Sequence, residues 1–213
     1  RDGIRFQGLR YLATTLALAN QRVALIECDL RRPLIANRLG LDGGVGTTSV
    51  LIGKVHLRDA IQKYADTDLW VLSSGPIPPN PSELLQSNAM EKLVGELRDE
   101  FDIVILDAPP LLPVTDAALL TARSDGALVV IRHGKTTKDQ LTHAIERIEA
   151  VEGKVIGVVV NLAPSRKKGR GYGYGGYYGS YGYGYGYSSH PTNGASAKPE
   201  RDGRRRGRRK PRS

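Results

Sequence analysis

Apolar residues gather into short continuous runs at 23–26, 103–106, 127–131 and 155–160, with a weaker run at 69–73. The runs are rich in Val and Ile and do not alternate with polar residues, the pattern of parallel strands covered on both faces. Between them the period changes. Residues 83–100 place Leu84, Leu85, Met90, Leu93, Val94 and Leu97 at roughly helical spacing. Asn80 is a suitable cap for that helix, Pro81 suits its first position, and Glu83 stands three residues after the cap. Thr115 is placed to cap a helix over 116–123. Thr136 or Thr137 opens another that runs to residue 151 and is closed by Gly153. Strands alternating with helices predict βαβ units, hence an α/β fold with a doubly wound, mostly parallel sheet.

The composition breaks after Pro164. Residues 171–187 are almost only Gly and Tyr and hold eight tyrosines: Tyr172, Tyr174, Tyr177, Tyr178, Tyr181, Tyr183, Tyr185 and Tyr187. No aliphatic side chain occurs there to offset the ordering entropy. An arginine-rich run, 201–212, follows. Two regions are therefore expected, a folded domain over residues 1–164 and a disordered tail over 165–213.

Charge follows the same boundary. The chain of 213 residues carries +9. Between Arg166 and Ser213 thirteen Lys/Arg face two Asp/Glu, a net of +11, which leaves 18 basic and 20 acidic residues elsewhere. Any attraction to nucleic acid or to an anionic membrane rests on the tail alone. No run reaches the ~18 apolar residues of a transmembrane helix. The single cysteine, Cys28, excludes a disulfide framework and a cysteine metal site. His56, His133 and His143 lack metal-ligand spacing. The start, Arg1-Asp2-Gly3, has neither an apolar leader core nor an initiator Met, so the chain is expected to be a fragment whose upstream part is missing.

Two strand ends carry chemistry. In Phe101-Asp102-Ile103-Val104-Ile105-Leu106-Asp107-Ala108-Pro109-Pro110 an apolar strand ends in a carboxylate and then turns. The C-terminal ends of parallel strands face the ligand crevice, where Asp107 can hold Mg²⁺ directly or through water; the plainer alternative is an Asp capping its turn. In Val23-Ala24-Leu25-Ile26-Glu27-Cys28-Asp29-Leu30-Arg31-Arg32-Pro33 a second strand ends in two acids one residue apart. Alternation puts Glu27 and Asp29 on one side if the strand continues through them, and turns Cys28 away. Beside Asp107 a divalent cation would neutralise the pair; otherwise they pair with Arg31 and Arg32.

The segment Glu27-Cys28-Asp29-Leu30-Arg31 resembles the Walker A′ motif of bacterial tyrosine kinases of capsule and exopolysaccharide export, and residues 102–110 resemble their Walker B motif. Pro78-Pro79-Asn80-Pro81-Ser82-Glu83-Leu84-Leu85 and the tail tyrosines are similar to further features of that family. The resemblance implies a P-loop NTPase-like fold and an ATP–Mg²⁺ site. In that site Asp29 and Asp107 serve catalysis, and Glu27, Asp29, Arg31, Asp107 and Asn161 contact nucleotide or metal. Asn161 corresponds to the residue that reads the adenine edge, or else is a strand-end turn residue. Glu27 stands where the family usually has Asp. The eight tail tyrosines are the implied phosphoacceptors. Further implied are a membrane-anchored co-polymerase or activator, a homo-oligomer, a counteracting tyrosine phosphatase, and a place in the cytoplasm at the inner membrane.

One family feature is absent. No Gly-x-x-x-x-Gly-Lys-Ser/Thr occurs in the chain. The glycine-rich stretch at 43–49 lacks Lys and follows the A′ segment, so it is rejected as a phosphate cradle. Phe6-Gln7-Gly8-Leu9-Arg10 and Thr14-Thr15-Leu16-Ala17-Leu18-Ala19 resemble the helices on either side of the family's loop, so loop and preceding strand look deleted between them. A kinase inactive for lack of its loop is therefore one expectation. The alternatives from other classes are a partition- or division-site-type ATPase switch, and a non-catalytic protein whose Tyr/Arg tail binds RNA or membrane.

Overall fold

The computed structural model describes residues 2–164, with side chains from residue 6 onward. The expected disordered tail and its eight tyrosines lie outside the described residues. Helix α1 (Asp2–Leu18) leads into strand β1 (Val23–Glu27). Three short helices follow: α2 (Ile35–Leu39), α3 (Thr47–Leu51) and α4 (Leu57–Ala60). Then come β2 (Gln62–Lys63), β3 (Leu69–Leu72), α5 (Pro81–Gln86), α6 (Asn88–Glu100) and β4 (Ile103–Asp107). The last described elements are α7 (Asp116–Thr121), β5 (Ala127–Arg132), α8 (Lys138–Glu149) and β6 (Val155–Asn161).

The main sheet has the order β2-β3-β1-β4, with β3, β1 and β4 parallel and the short β2 antiparallel at the edge. Its central strand, β1, is buried at every position because both faces are covered. Val23 and Leu25 pack with Phe6, Ala13 and Ala17 of α1, with Ile35, and with Leu69 and Val71. Ala24 and Ile26 face the other way, toward Met90, Leu93, Val94 and Leu97 of α6 and toward Leu85 and Leu120. A continuous apolar strand is the sequence such a position requires. At its N-terminal end β1 is tied to β4 by Arg22, whose backbone N–H and guanidinium donate to Asp102 at 2.9, 3.2 and 2.6 Å. These hydrogen bonds hold the Asp102 carboxyl at about 2.

Three expectations are corrected. The runs at 127–131 and 155–160 do form parallel strands, but β5 and β6 make a separate two-stranded sheet, and they are not buried on both faces. Leu128, Val130, Ile156, Val158 and Val160 remain 41–58% exposed. The predicted single helix over 83–100 is two. Ser87, in extended conformation, ends α5, and its side chain caps α6 by accepting the Met90 N–H. Asn80 makes no capping bond; its amide donates to Glu83 instead. Thr137 does cap α8, in a capping box with Gln140. At the far end of α8 Gly153 does close the helix, its N–H donating to the Ile148 carbonyl at 2.9 Å, while the left-handed residue is Glu152. Gly153 also packs closely: a Cβ there would lie 2.6 Å from the Thr121 methyl.

Candidate functional site

The parallel register of β1 and β4 sets Glu27 directly opposite Asp107 at the C-terminal ends of neighbouring strands. The Cys28 N–H donates to the Asp107 carbonyl at 3.0 Å, carrying the pairing one residue beyond β1. Register partners on neighbouring parallel strands share a face, so the two carboxylates lie on the same side of the sheet. Asp29 follows in the turn, with its Oδ1 accepting the Arg32 N–H at 3.2 Å. Glu27, Asp29 and Asp107 are all buried. The structure thus sets two of the acids singled out in the sequence, Glu27 and Asp107, side by side, with Asp29 two residues further along the chain.

The acids have different surroundings. Glu27 is consumed by main chain: its Oε1 accepts the N–H groups of Leu34 and of Ile35 (2.8 Å), and its Oε2 accepts that of Ser74 (3.0 Å). Beside it, the Thr47 hydroxyl donates to the Glu27 carbonyl at 3.1 Å. The 43–49 stretch packs against the exit of β3: the Thr47 N–H donates to Ser73 O at 2.7 Å, and a Cβ on Gly46 would lie 2.0 Å from that same oxygen. Its glycine therefore permits a backbone-to-backbone approach. Burial pushes the Cys28 thiol up, and the charges of Asp107 and Glu27 push it further the same way, so it stays a neutral, inert thiol.

Arg31 turns away from Glu27 to a partner that the sequence did not announce. Its Nε donates to Asp116 at 2.8 Å, and a terminal nitrogen donates to the Ser82 hydroxyl at 2.9 Å. Ser82 donates in turn to Asp116 at 2.6 Å. This closed triad joins the turn after β1 to the first turns of α5 and α7. Asp116 is 1% exposed, whereas the Arg31 side chain is 41% exposed and keeps an edge toward solvent. Burial pushes the Asp116 carboxyl up, but the hydrogen bonds of Arg31 and Ser82 and the Arg31 charge outweigh it, and the net direction is below the usual range. The only sequence signal for Asp116 was an acid opening a helix; its distance of 85 positions from Arg31 hid the pairing.

Asn161 is the exception among the predicted residues. It ends β6 in the second sheet, in register with Arg132, and its Oδ1 accepts the N–H of Leu162, which is left-handed at φ 58°. The position expected for a phosphate cradle is helical: α1 runs unbroken from residue 2 to residue 18, through both halves of the sequence said to flank the loop. Among the described residues no group of three or more His, Cys, Asp or Glu is arranged to hold a metal ion. Nor is any helix there long and apolar enough to cross a membrane.

No protein-family model matches the chain. It is 42% identical over 150 residues to the tyrosine-protein kinase YwqD of Bacillus subtilis, a match covering 70% of this chain and 63% of the relative. Among solved structures, the kinase domain of the Escherichia coli tyrosine kinase ETK superposes with a TM-score of 0.71 at 34% identity, covering 77% of this chain and 64% of that one. The chimerical protein CapA2B2 gives 0.70 at 36% identity, covering 72% and 68%. The chain spans less than two thirds of the Bacillus relative and 21% of the full-length Escherichia coli kinase etk. A likeness to the Aquifex aeolicus cell division protein MinD, with a TM-score of 0.56 at 23% identity, is one of fold alone.

Proposed function

The chain belongs to the bacterial tyrosine-protein kinase family, and from that premise we propose that it binds a magnesium nucleotide across the C-terminal ends of β1 and β4 in the service of tyrosine phosphorylation. The observation that supports the reading is the β1–β4 register, which sets Asp107 opposite Glu27 of the A′ segment at the C-terminal ends of neighbouring strands. Magnesium takes hard oxygen ligands, keeps several waters and is held by one or two carboxylates together with substrate phosphates. The buried pair Asp29 and Asp107 is a donor set of that kind. When bound, the cation supplies charge neutralisation for phosphoryl transfer. Asp107 holds it, Asp29 serves both the cation and the incoming tyrosine hydroxyl, and Arg31, steadied by Asp116 and Ser82, adds positive charge beside them. In the same reading Asn161 contacts the adenine edge.

The acceptors in this proposal are the tail tyrosines, Tyr172 to Tyr187, and the process is control of exopolysaccharide synthesis and export. The partners that go with it are a membrane-anchored co-polymerase or activator, further copies of the chain and a tyrosine phosphatase; the place is the cytoplasmic side of the inner membrane. A division-type ATPase switch is less well supported, because the likeness to MinD is one of fold alone and leaves eight tail tyrosines without a role. Calorimetric titration of Mg²⁺–ADP into wild type and Asp107→Asn tests the site. The variant is expected to stay folded and to lose magnesium-dependent binding; equal affinity in the two proteins would overturn the assignment.

A further inference from the structure

Two carboxylates in register on adjacent strands, both buried, repel each other unless something offsets their charge. For Glu27 the offset is visible. Its carboxylate receives three main-chain N–H dipoles from two separate stretches of chain: Leu34 and Ile35 at the start of α2, and Ser74 just after β3. Helix α2 has no side-chain cap of its own, since Leu34 stands at its N-cap. Its first amides would otherwise lack an acceptor, which is costly for buried groups. A strand-end acid thus supplies from outside the cap that the helix lacks, and clips the exit of β3 with its other oxygen.

We infer that Glu27 is the positioning residue of this site and not a cation ligand: by clipping the start of α2 and the exit of β3 to the end of β1, it sets the turn over 28–33 that carries Asp29 and Arg31. The inference rests on the reading above that the cation belongs to Asp29 and Asp107. Glutamate in place of the family's usual aspartate then has a physical sense. The extra methylene lets one carboxylate span two loops, where a ligand would need only to reach the crevice. Charge and acceptor geometry are both used, so neither Gln nor Asp replaces it fully: Gln turns one acceptor oxygen into a donor facing an N–H, and Asp is one carbon short.

The test uses the whole chain, amide hydrogen exchange and Mn²⁺ as the probe. In Glu27→Gln the amides of Leu34, Ile35 and Ser74 are expected to exchange at least tenfold faster than in wild type. Mn²⁺ affinity is expected to fall about tenfold, the usual effect of an outer-shell partner. The paramagnetic broadening should stay centred on the amides of residues 29 and 107. Glu27→Asp, which keeps the charge, covers the case in which Gln does not fold; it should speed exchange at one or more of the same three amides and retain Mn²⁺ binding. Unchanged exchange at all three amides would overturn the clip. Loss of Mn²⁺ binding with the three amides still protected would show Glu27 to be a ligand, and unchanged Mn²⁺ affinity with exposed amides would reduce it to a purely structural role. If wild type itself binds no Mn²⁺, the metal reading falls, and the exchange data alone decide the clip.

Discussion

At the scale of single residues, the acids of the site differ by what surrounds them more than by type. Glu27 is held by backbone N–H groups, Asp116 by an arginine and a serine, and Asp29 by the turn it starts. The Asp116 triad gives a prediction with a definite pH dependence. The folded Asp116 carboxyl sits below its usual value, so its contribution to stability is complete above the unfolded pKa of about 4 and is lost as pH falls through the lower folded value. Arg31→Met removes the pull and leaves burial, which favours the protonated acid. The variant is expected to lose about 2 kcal/mol at pH 7, the penalty of a buried acid stripped of its main partner. The deficit should be smaller at pH 3, below the unfolded pKa, because the variant's Asp116, left with burial alone, takes up its proton there and no longer buries an unpaired charge. Urea unfolding at the two pH values checks this, and an equal deficit at both would remove Asp116 as the cause. Asp29, Asp107 and Arg31 were legible as strand-end groups. Asp116 and Ser82 were not, because a side chain's partner across 85 positions leaves no local trace.

At the scale of elements, the helix boundaries were set by which side chain reached which amide. The signals around Asn80 read as a good start, and a helix does begin there, but the Asn80 side chain bonds to Glu83 while Ser87 provides the working cap for α6. Ser87→Ala is expected to cost about 1 kcal/mol, typical for loss of an N-cap hydroxyl. Asn80→Ala should cost less, and comparing the two thermal midpoints decides between the two caps. The amphipathic spacing over 83–100 is real, and its apolar positions Leu85, Met90, Leu93 and Leu97 are all buried. Periodicity reports the buried face of a helix, yet it does not report a one-residue break between two helices that bury the same face.

At the scale of the whole molecule, two features bear on activity. No Gly-x-x-x-x-Gly-Lys-Ser/Thr is present, and α1 is continuous where the cradle was looked for. Without converging amides and a lysine for the β- and γ-phosphates, Mg²⁺–ATP is expected to bind with Kd above roughly 100 μM; submicromolar affinity by calorimetry would show that another group does the cradle's work. The second feature is the +11 of residues 166–213. Each phosphate adds about −1.5 to −2, so about six or seven phosphotyrosines neutralise the tail. Binding to anionic vesicles should then decline stepwise as a competent kinase phosphorylates the chain. Any one Tyr→Phe substitution should change little, and a single substitution with the whole effect would refute a graded switch. A sequence with this pattern settles by itself where strands and acids fall, because burial of a strand and the polarity of its end are written in consecutive residues. It could not settle that Glu27 stands opposite Asp107, that Glu27 gathers amides from two loops, that Arg31 finds Asp116, or that β5 and β6 form a sheet of their own. Those outcomes depend on which backbone edges and polar groups find partners once the chain is assembled. Residues far apart in sequence satisfy one another there, and only the tertiary structure decides which.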